Sequence, residues 1–256
     1  MGVHPLPERA FGSQADNYER GRPGWPEEAV AHLLERFGAR TVLDLAAGTG
    51  KLTRILVRHA PEVIAVEPVD GMRRVLAAQV PGARVLAGTA EAIPLDDDAV
   101  DAVFVSEAFH WFDLERAPAE IARVLRPGGW VAVLWNRPGG RLDWLDEVYE
   151  ALRSHRIEHP RAPDKVAWQE ALEAVFGPLE EELAEHEHVT DRDRLIAELA
   201  SHSSIGGLPP DRLQAALAAA RAVLDRHGID RARIPLRTHI FTAQSNRSGE
   251  SGPSAG

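Results

Sequence analysis

Between residues 41 and 136, short apolar runs alternate with segments of helical spacing. The runs fall at 41–45, 63–67, 83–87, 100–105 and 130–135. Several are apolar almost throughout, the pattern of parallel strands covered on both faces. The connectors read as helices: Leu52, Ile55 and Leu56 share one face, and Leu114, Ala117, Ile121 and Leu125 recur at helical spacing. Residues 126–129, Arg-Pro-Gly-Gly, predict a turn that stops the preceding helix before the fifth strand. Strand, helix, strand at this spacing implies a parallel sheet with right-handed crossovers. Pro26-Glu27-Glu28 marks an earlier helix start, with Val30, Leu33, Leu34 and Phe37 facing inward.

After Asn136 the pattern changes. Residues 137–140 break the chain, and helices are predicted near 142–156 and 166–176, then a strand near 183–190. Leu213, Leu217, Ala220 and Leu224 mark a long helix, and a last strand over 234–243 alternates Ile234, Leu236, Thr238 and Ile240 on one face. The predicted organisation is an arm or lid over 1–25 and a domain over 26–244. Within it, 41–136 form the ligand-binding core and 191–227 a helical, substrate-facing cap inserted between the last two strands. Residues 245–256, rich in Ser and Gly, predict a disordered tail.

The balance of 29 Lys and Arg against 39 Asp and Glu gives a net charge of −10. A nucleic-acid backbone is therefore not the expected partner. The absence of cysteine removes disulfides, thiolate metal sites and cysteine nucleophiles. Residues 1–5 lack a signal-peptide apolar core, and no apolar run approaches a membrane span, so the expectation is a cytoplasmic protein with no membrane partner. Oligomeric state is not set by the sequence.

The segment Val42-Leu43-Asp44-Leu45-Ala46-Ala47-Gly48-Thr49-Gly50-Lys51-Leu52 runs from a strand through a small-residue turn into a helix. Small residues there let a ligand approach the backbone, and helix amides face the crevice above the strand ends. A dinucleotide fingerprint would fit Gly48 and Gly50 but meets Thr53 where it wants a third glycine. Asp44, at the carboxyl end of the strand, would repel a pyrophosphate and attract an ammonium or sulfonium charge. That favours S-adenosylmethionine over NAD.

Asp44-x-Ala46-x-Gly48-x-Gly50 resembles the first motif of class I S-adenosylmethionine-dependent methyltransferases, with Ala46 where the usual pattern has Gly. The resemblance continues through Glu67, placed to accept both ribose hydroxyls, and the adenine-flanking Pro68-Val69-Asp70-Gly71-Met72. It extends to Thr89-Ala90-Glu91, which would cover the adenine edge, and to Ser106 and Glu107 after the fourth strand, facing the reacting methyl. The arm 11–26 resembles that of small-molecule enzymes of the trans-aconitate methyltransferase type, which implies Tyr18 and Arg22 near the cofactor's carboxylate end. The alternative is that Tyr18 and Trp25 only pin the arm. The resemblance implies a Rossmann-like, doubly wound, mostly parallel seven-stranded α/β sheet with its last strand antiparallel. It also implies Ala47 and Thr49 among the cofactor contacts.

Methyl transfer is an in-line displacement, and a general base is needed only when the nucleophile starts protonated. His110, in Ser106-Glu107-Ala108-Phe109-His110-Trp111-Phe112, is the candidate catalytic group, with Trp111 and Trp25 walling a small organic acceptor. His110 bonding a loop carbonyl, Trp111 packing under the sheet and Glu107 capping or facing solvent are the bland alternatives. His202 and Ser204, at a break in the cap helices, are candidate substrate ligands, with ordinary helix capping as the alternative. The predicted reaction is transfer to a carboxylate or hydroxyl oxygen. Cofactor binding without transfer, a nicotinamide oxidoreductase, and a zinc hydrolase built on His155-Arg156-Ile157-Glu158-His159 are the rival readings. No metal is expected: the latter segment is highly charged and ends at Pro160. His186-Glu187-His188 predicts a surface strand edge, and Asn246-Arg247-Ser248, a glycosylation triplet, carries no weight without a secretion signal.

Overall fold

In a computed structural model, described for residues 15–156 and 167–247, the strands form one seven-stranded sheet in the order β3-β2-β1-β4-β5-β7-β6. The strands are β1 (Thr41–Leu45), β2 (Glu62–Val66), β3 (Arg84–Leu86), β4 (Val100–Ser106), β5 (Leu125–Pro138), β6 (Glu180–Asp191) and β7 (Arg231–Gln244). The first five are mutually parallel, while β7 is antiparallel to both β5 and β6. The order reverses beside β1, so the crevice above β1 and β4 is the switch point where open α/β sheets bind ligands.

The helices are α1 (Ala15–Gly21), α2 (Glu27–Phe37), α3 (Thr53–His59), α4 (Asp70–Gln79), α5 (Ala117–Val124), α6 (Asp143–Arg153), α7 (Ala167–Phe176), α8 (Arg192–Ser201), α9 (Ser203–Gly206) and α10 (Pro210–His227). On one sheet face, Leu43, Leu45, Val103 and Val131 pack with Ile121 of α5 and Leu172 of α7. On the other, Val42, Val63, Phe104 and Leu134 pack with Leu33 of α2 and Leu56 of α3. Two-faced burial is why these strands lack polar alternation. β6, at the sheet edge, does alternate. Its outward face carries Glu181, Glu185 and Glu187, paired with His239, Arg237 and Arg233 of β7.

The cap is a second core. Leu195 and Leu199 of α8, and Ala216, Ala220 and Leu224 of α10, bury against Leu145, Val148 and Leu152 of α6. The cap begins and ends on paired residues, Asp191 opposite Arg231. The Asp191 side chain accepts from the Arg194 amide, a helix N-cap.

Three expectations are corrected. Residues 126–129 do not end before the strand but belong to β5. Pairing jumps from Val100↔Leu125 to Ala102↔Trp130, and Gly128 (φ 75°) absorbs the extra residues as a bulge. The helix expected around Leu114 to Leu125 is shorter, with both ends outside α5. The tail does not begin at Ser245. The Ser245 amide donates to the Gly129 carbonyl (2.7 Å), Asn246 to that of Phe176 (3.1 Å), and Arg247 to that of Ala122 (2.8 Å). The rest of the tail, from residue 248, lies outside the described residues, as do residues 1–14 of the arm.

The arm carries α1, which packs closely across α8. Gly21 sits at that crossing. A Cβ placed on it would lie 2.5 Å from Glu198 Cα, 2.7 Å from the Arg194 carbonyl oxygen, and nearer still to the Glu198 amide. Only a glycine permits this approach. Arg22 follows, donating through Nε to Ser201 Oγ (2.9 Å), and Arg54 of α3 holds Glu19 at 2.7 Å.

Candidate active site

β1 delivers the chain into the turn at Ala46. Ala46 has φ 58°, Gly48 59° and Gly50 88°. A Cβ on Gly50 would run into Leu76 and lie 2.9 Å from Val80, so this glycine also lets α4 pack. Ala46 holds the left-handed conformation despite its Cβ, which costs about 1–2 kcal/mol. Strain of this kind persists where surrounding structure enforces it.

Asp44 is fully buried. Its Oδ2 accepts from Thr53 Oγ1 at 2.6 Å, while Oδ1 is buried with no protein partner. Burial pushes its carboxyl up to about 7. Thr53, the residue that spoils the dinucleotide pattern, is thus the one that orients Asp44. Glu67, 4% exposed, directly follows β2. It accepts from the Gly48 amide through Oε2 and the Val69 amide through Oε1, both at 2.8 Å. Burial raises it to about 7 as well. Thr49 Oγ1 is a further buried oxygen without a protein partner. A buried carboxylate oxygen awaiting a donor, beside a glycine turn that a ligand can approach, fits a ligand carrying an ammonium and a sulfonium. It does not fit a pyrophosphate.

The remaining predicted cofactor residues are distributed around this loop. Met72 is buried with Ala15 and Val69, against the arm, and Pro68 is half-buried beside it. Thr89 bridges to Ala92, and Ala90 is buried between them. Glu91 is occupied locally, accepting from the Asp113 amide at 2.9 Å. The Tyr18 ring lies over Gly48, 3.8 Å from where its Cβ would be, with the Arg22 guanidinium 5.3 Å from the ring centre.

A cavity of about 260 Å³ opens between the sheet rim, the arm and the cap. Tyr18, Arg22, Trp25, Ala46, Ala47, Ser106, Glu107 and His202 line it, all singled out from sequence. Glu107 is a second strained residue (φ 50°). Its Oε1 accepts from the Asn136 amide (2.7 Å) and faces Arg137 at 3.6 Å, and burial raises its carboxyl.

His110 and Trp111 do not line the cavity. They form a single 3₁₀ turn after β4, where the His110 ring packs 4.9 Å from Trp111 and 5.3 Å from Trp135. Ser204, in α9, is likewise absent from the wall.

Sequence reading missed Lys51, Asn136, Tyr149, His188 and Glu198, which all line the cavity. Lys51 directly follows the glycine loop, a signal that was available. Asn136 ties three elements together. Its Nδ2 donates to the Gly24 carbonyl (3.1 Å), and its Oδ1 accepts from Thr238 Oγ1 (2.6 Å). The surface reading of His188 is overturned. Its side chain is only 12% exposed, because the inner face of β6 lies beneath α8. Its Nε2 stands 3.6 Å from Glu198. His155, of the zinc-protease pattern, lies in the turn after α6, and Glu158 and His159 fall outside the described residues. Among the described residues no trio of metal-ligating side chains assembles.

A switch-point crevice with a small-residue loop, a buried acid at the end of β1 and another at the end of β2 defines the S-adenosylmethionine-dependent class of transferases. The comparisons agree. A family model described as a methyltransferase domain matches residues 43–133. An uncharacterized methyltransferase of Mycobacterium tuberculosis is 41% identical over 93% of this chain and 89% of its own. A malonyl-[acyl-carrier protein] O-methyltransferase of Methylococcus capsulatus is 45% identical, over 36% of this chain and 35% of its own. A solved structure, a proposed type II methyltransferase from Anaeromyxobacter dehalogenans, superposes with TM-score 0.64 at 25% identity. It covers 87% of this chain and 97% of that one. The chain belongs to the class I S-adenosylmethionine-dependent methyltransferases, and its cofactor is S-adenosylmethionine. No described helix is long and apolar enough to cross a membrane.

Proposed function

We propose that this enzyme methylates an oxygen of a small organic acceptor held in the 260 Å³ cavity. The observation that carries the reading is the continuity of that cavity. It joins Ala46 and Ala47 of the cofactor loop to the arm and cap, so cofactor and acceptor share one enclosure. Cationic Arg22, Lys51 and Arg137 line it against Glu107 and Glu198, a balance that favours a neutral or anionic acceptor.

The bound cofactor supplies a methyl carbon activated by a positive sulfur. The chain supplies placement. Asp44, steered by Thr53, offers its free oxygen to the ligand's cationic end, and Glu67 offers its oxygens to hydroxyl groups. Tyr18 and Arg22, carried on the arm, close the methionine end, while Met72, Pro68 and residues 89–91 surround the base. Alignment and exclusion of water can supply roughly 7–11 kcal/mol of a displacement barrier. In this reading His110 and Trp111 stiffen the wall behind Trp135 and do no proton chemistry.

The test is calorimetric titration with S-adenosylhomocysteine, with NAD in a parallel cell, followed by transfer of labelled methyl to pools of small hydroxyl and carboxyl compounds. Micromolar binding of the first ligand alone, about −8 kcal/mol, and label in either pool support the reading. Folded protein that binds no S-adenosylhomocysteine, or that labels only amines, overturns it.

A further inference from the structure

The cap side of the cavity carries a charge cluster of its own, built from residues outside the glycine loop. Glu198 of α8 stands between two imidazoles, with His188 Nε2 at 3.6 Å from Oε2 and His202 Nε2 at 3.9 Å from Oε1. Its side chain is only 12% exposed. The Nε2 atoms and Glu198 Oε2 are shut away from water without a close partner, so a substrate proton would go to the other ring nitrogen, Nδ1. His188, Glu198 and His202 all line the cavity that also contains Ala46 and Ala47.

From this geometry we propose that His188 is the general base of the reaction, backed by Glu198, and that the acceptor is an aromatic or enolic hydroxyl. The inference rests on the methyltransferase reading above and narrows it. A carboxylate acceptor is already deprotonated and has no use for a base. An ammonium acceptor would meet Arg22, Lys51 and Arg137 in the same enclosure. A ring of modest size suits the walls, where Trp25, Tyr149, Leu145 and Leu195 present flat or apolar surface. An acidic hydroxyl, unlike an alkyl alcohol, lies within an imidazole's reach.

The step balances simply. The hydroxyl oxygen bonds to the methyl carbon as the carbon–sulfur bond breaks. The electron pair of that bond stays on sulfur, and the hydroxyl proton passes to Nδ1 of His188. Glu198 then faces an imidazolium across 3.6 Å and stabilises it.

His188 is preferred over His202 for its setting. It is anchored in β6 and stands nearer Glu198. Burial and the neighbouring Arg22 guanidinium push His202 down, which disfavours its imidazolium. Burial opposes ionisation of Glu198, but the two neighbouring imidazoles and Arg22 outweigh it and hold the carboxyl below its ordinary value. The groups facing the pair are His186 on β6, Tyr149 on α6, Arg22 on the arm, Lys51 in the cofactor loop and Arg156 after α6.

The test uses the full chain, labelled S-adenosylmethionine and matched acceptors: phenol with benzoic acid, catechol with its dicarboxylic counterpart, and aniline. Label is expected in the phenols alone, with kcat rising with pH. His188→Gln should lower kcat by about 10²-fold or more, with KM and S-adenosylhomocysteine affinity held. Glu198→Gln should lower kcat and move the pH profile to lower pH, because the imidazolium loses its counter-charge. Unchanged S-adenosylhomocysteine affinity and melting temperature in each variant certify the fold. Label in the acids or aniline, full kcat in His188→Gln, or a flat pH profile would overturn the proposal. Binding of S-adenosylhomocysteine with no phenol labelled overturns the base and leaves the cofactor reading intact. No binding at all sinks both.

Discussion

Gly21→Ala is the sharpest test of how the arm closes the site. The added methyl would sit 2.5 Å from Glu198 Cα and 2.7 Å from the Arg194 carbonyl oxygen, both backbone atoms of a packed helix. Ordinary contact begins near 3.5 Å, and the Glu198 amide is nearer still, so α1 must retreat from α8 by well over about 1 Å. Overpacking of this order costs about 1–3 kcal/mol. The helix that gives way is α1, seven residues long, rather than α8, which is locked into the cap core. The cost therefore falls on arm closure. If cofactor binding requires the closed arm, 1–3 kcal/mol becomes a loss of about 5- to 150-fold in S-adenosylhomocysteine affinity. The domain without the arm keeps its core, so the melting temperature should fall by no more than about 2–4 °C per kcal/mol. Calorimetry and thermal unfolding on the same preparation separate the two effects. A variant that binds as tightly as the parent would refute the docked arm as a binding element. One that melts far lower with affinity intact would make Gly21 a structural glycine only.

Further expectations concern the cofactor loop. The cationic cofactor should bind more tightly as pH rises from 6 to 8. Asp44 and Glu67, raised by burial to about 7, are partly protonated in the free protein and must lose protons to meet the cation. Titrations with S-adenosylmethionine across that range check it, and affinity that falls with pH refutes it. The same shift has a stability sign. These folded carboxyls lie above their unfolded values, so ligand-free stability is fullest below about pH 4 for these two groups and declines as pH rises through 7. Asp44→Asn should abolish that part of the decline in thermal melts while weakening cofactor binding at least tenfold. Ala46→Gly should raise stability by up to about 1 kcal/mol, because the strain of a left-handed Cβ exceeds the entropy of a glycine. A lower denaturation midpoint would show that Ala46 is not strained. Thr53→Val strips Asp44 of its one side-chain donor and should cost about 1–3 kcal/mol. Unchanged melting would mean that Asp44 Oδ2 finds water instead.

The parallel half of the sheet is legible because its strands are buried on both faces and so write continuous apolar runs. The bulge at 126–129 is not legible, since Arg-Pro-Gly-Gly is the composition of a turn whether or not a ladder resumes around it. Asp44, Glu67 and the glycine loop are legible because their chemistry is local to single strand ends. The cap-side cluster is not, because it joins His188 to Glu198 through a packing of β6 under α8 that no local pattern encodes. The His186-Glu187-His188 alternation did place two imidazoles on one face, yet a surface strand edge is the commoner setting for such a pair. The opposite face of that strand is indeed wet, carrying its glutamate pairs to β7. Thr53 shows the reverse: judged a defect in one motif, it is a working part of another.

The stem that closes the cap has a consequence for how such an enzyme can diversify. Asp191 and Arg231 are ladder neighbours, so everything between them leaves and re-enters the sheet at one point. A segment with adjoining ends can be lengthened, shortened or exchanged without moving a single strand that carries the cofactor loop. The arm sets the condition on any such graft. Its glycine touches the cap backbone directly, so a foreign cap must present an equally bare stretch of helix or bring its own arm. Cap and arm are in this sense coupled to each other more tightly than either is to the strands that carry the cofactor loop.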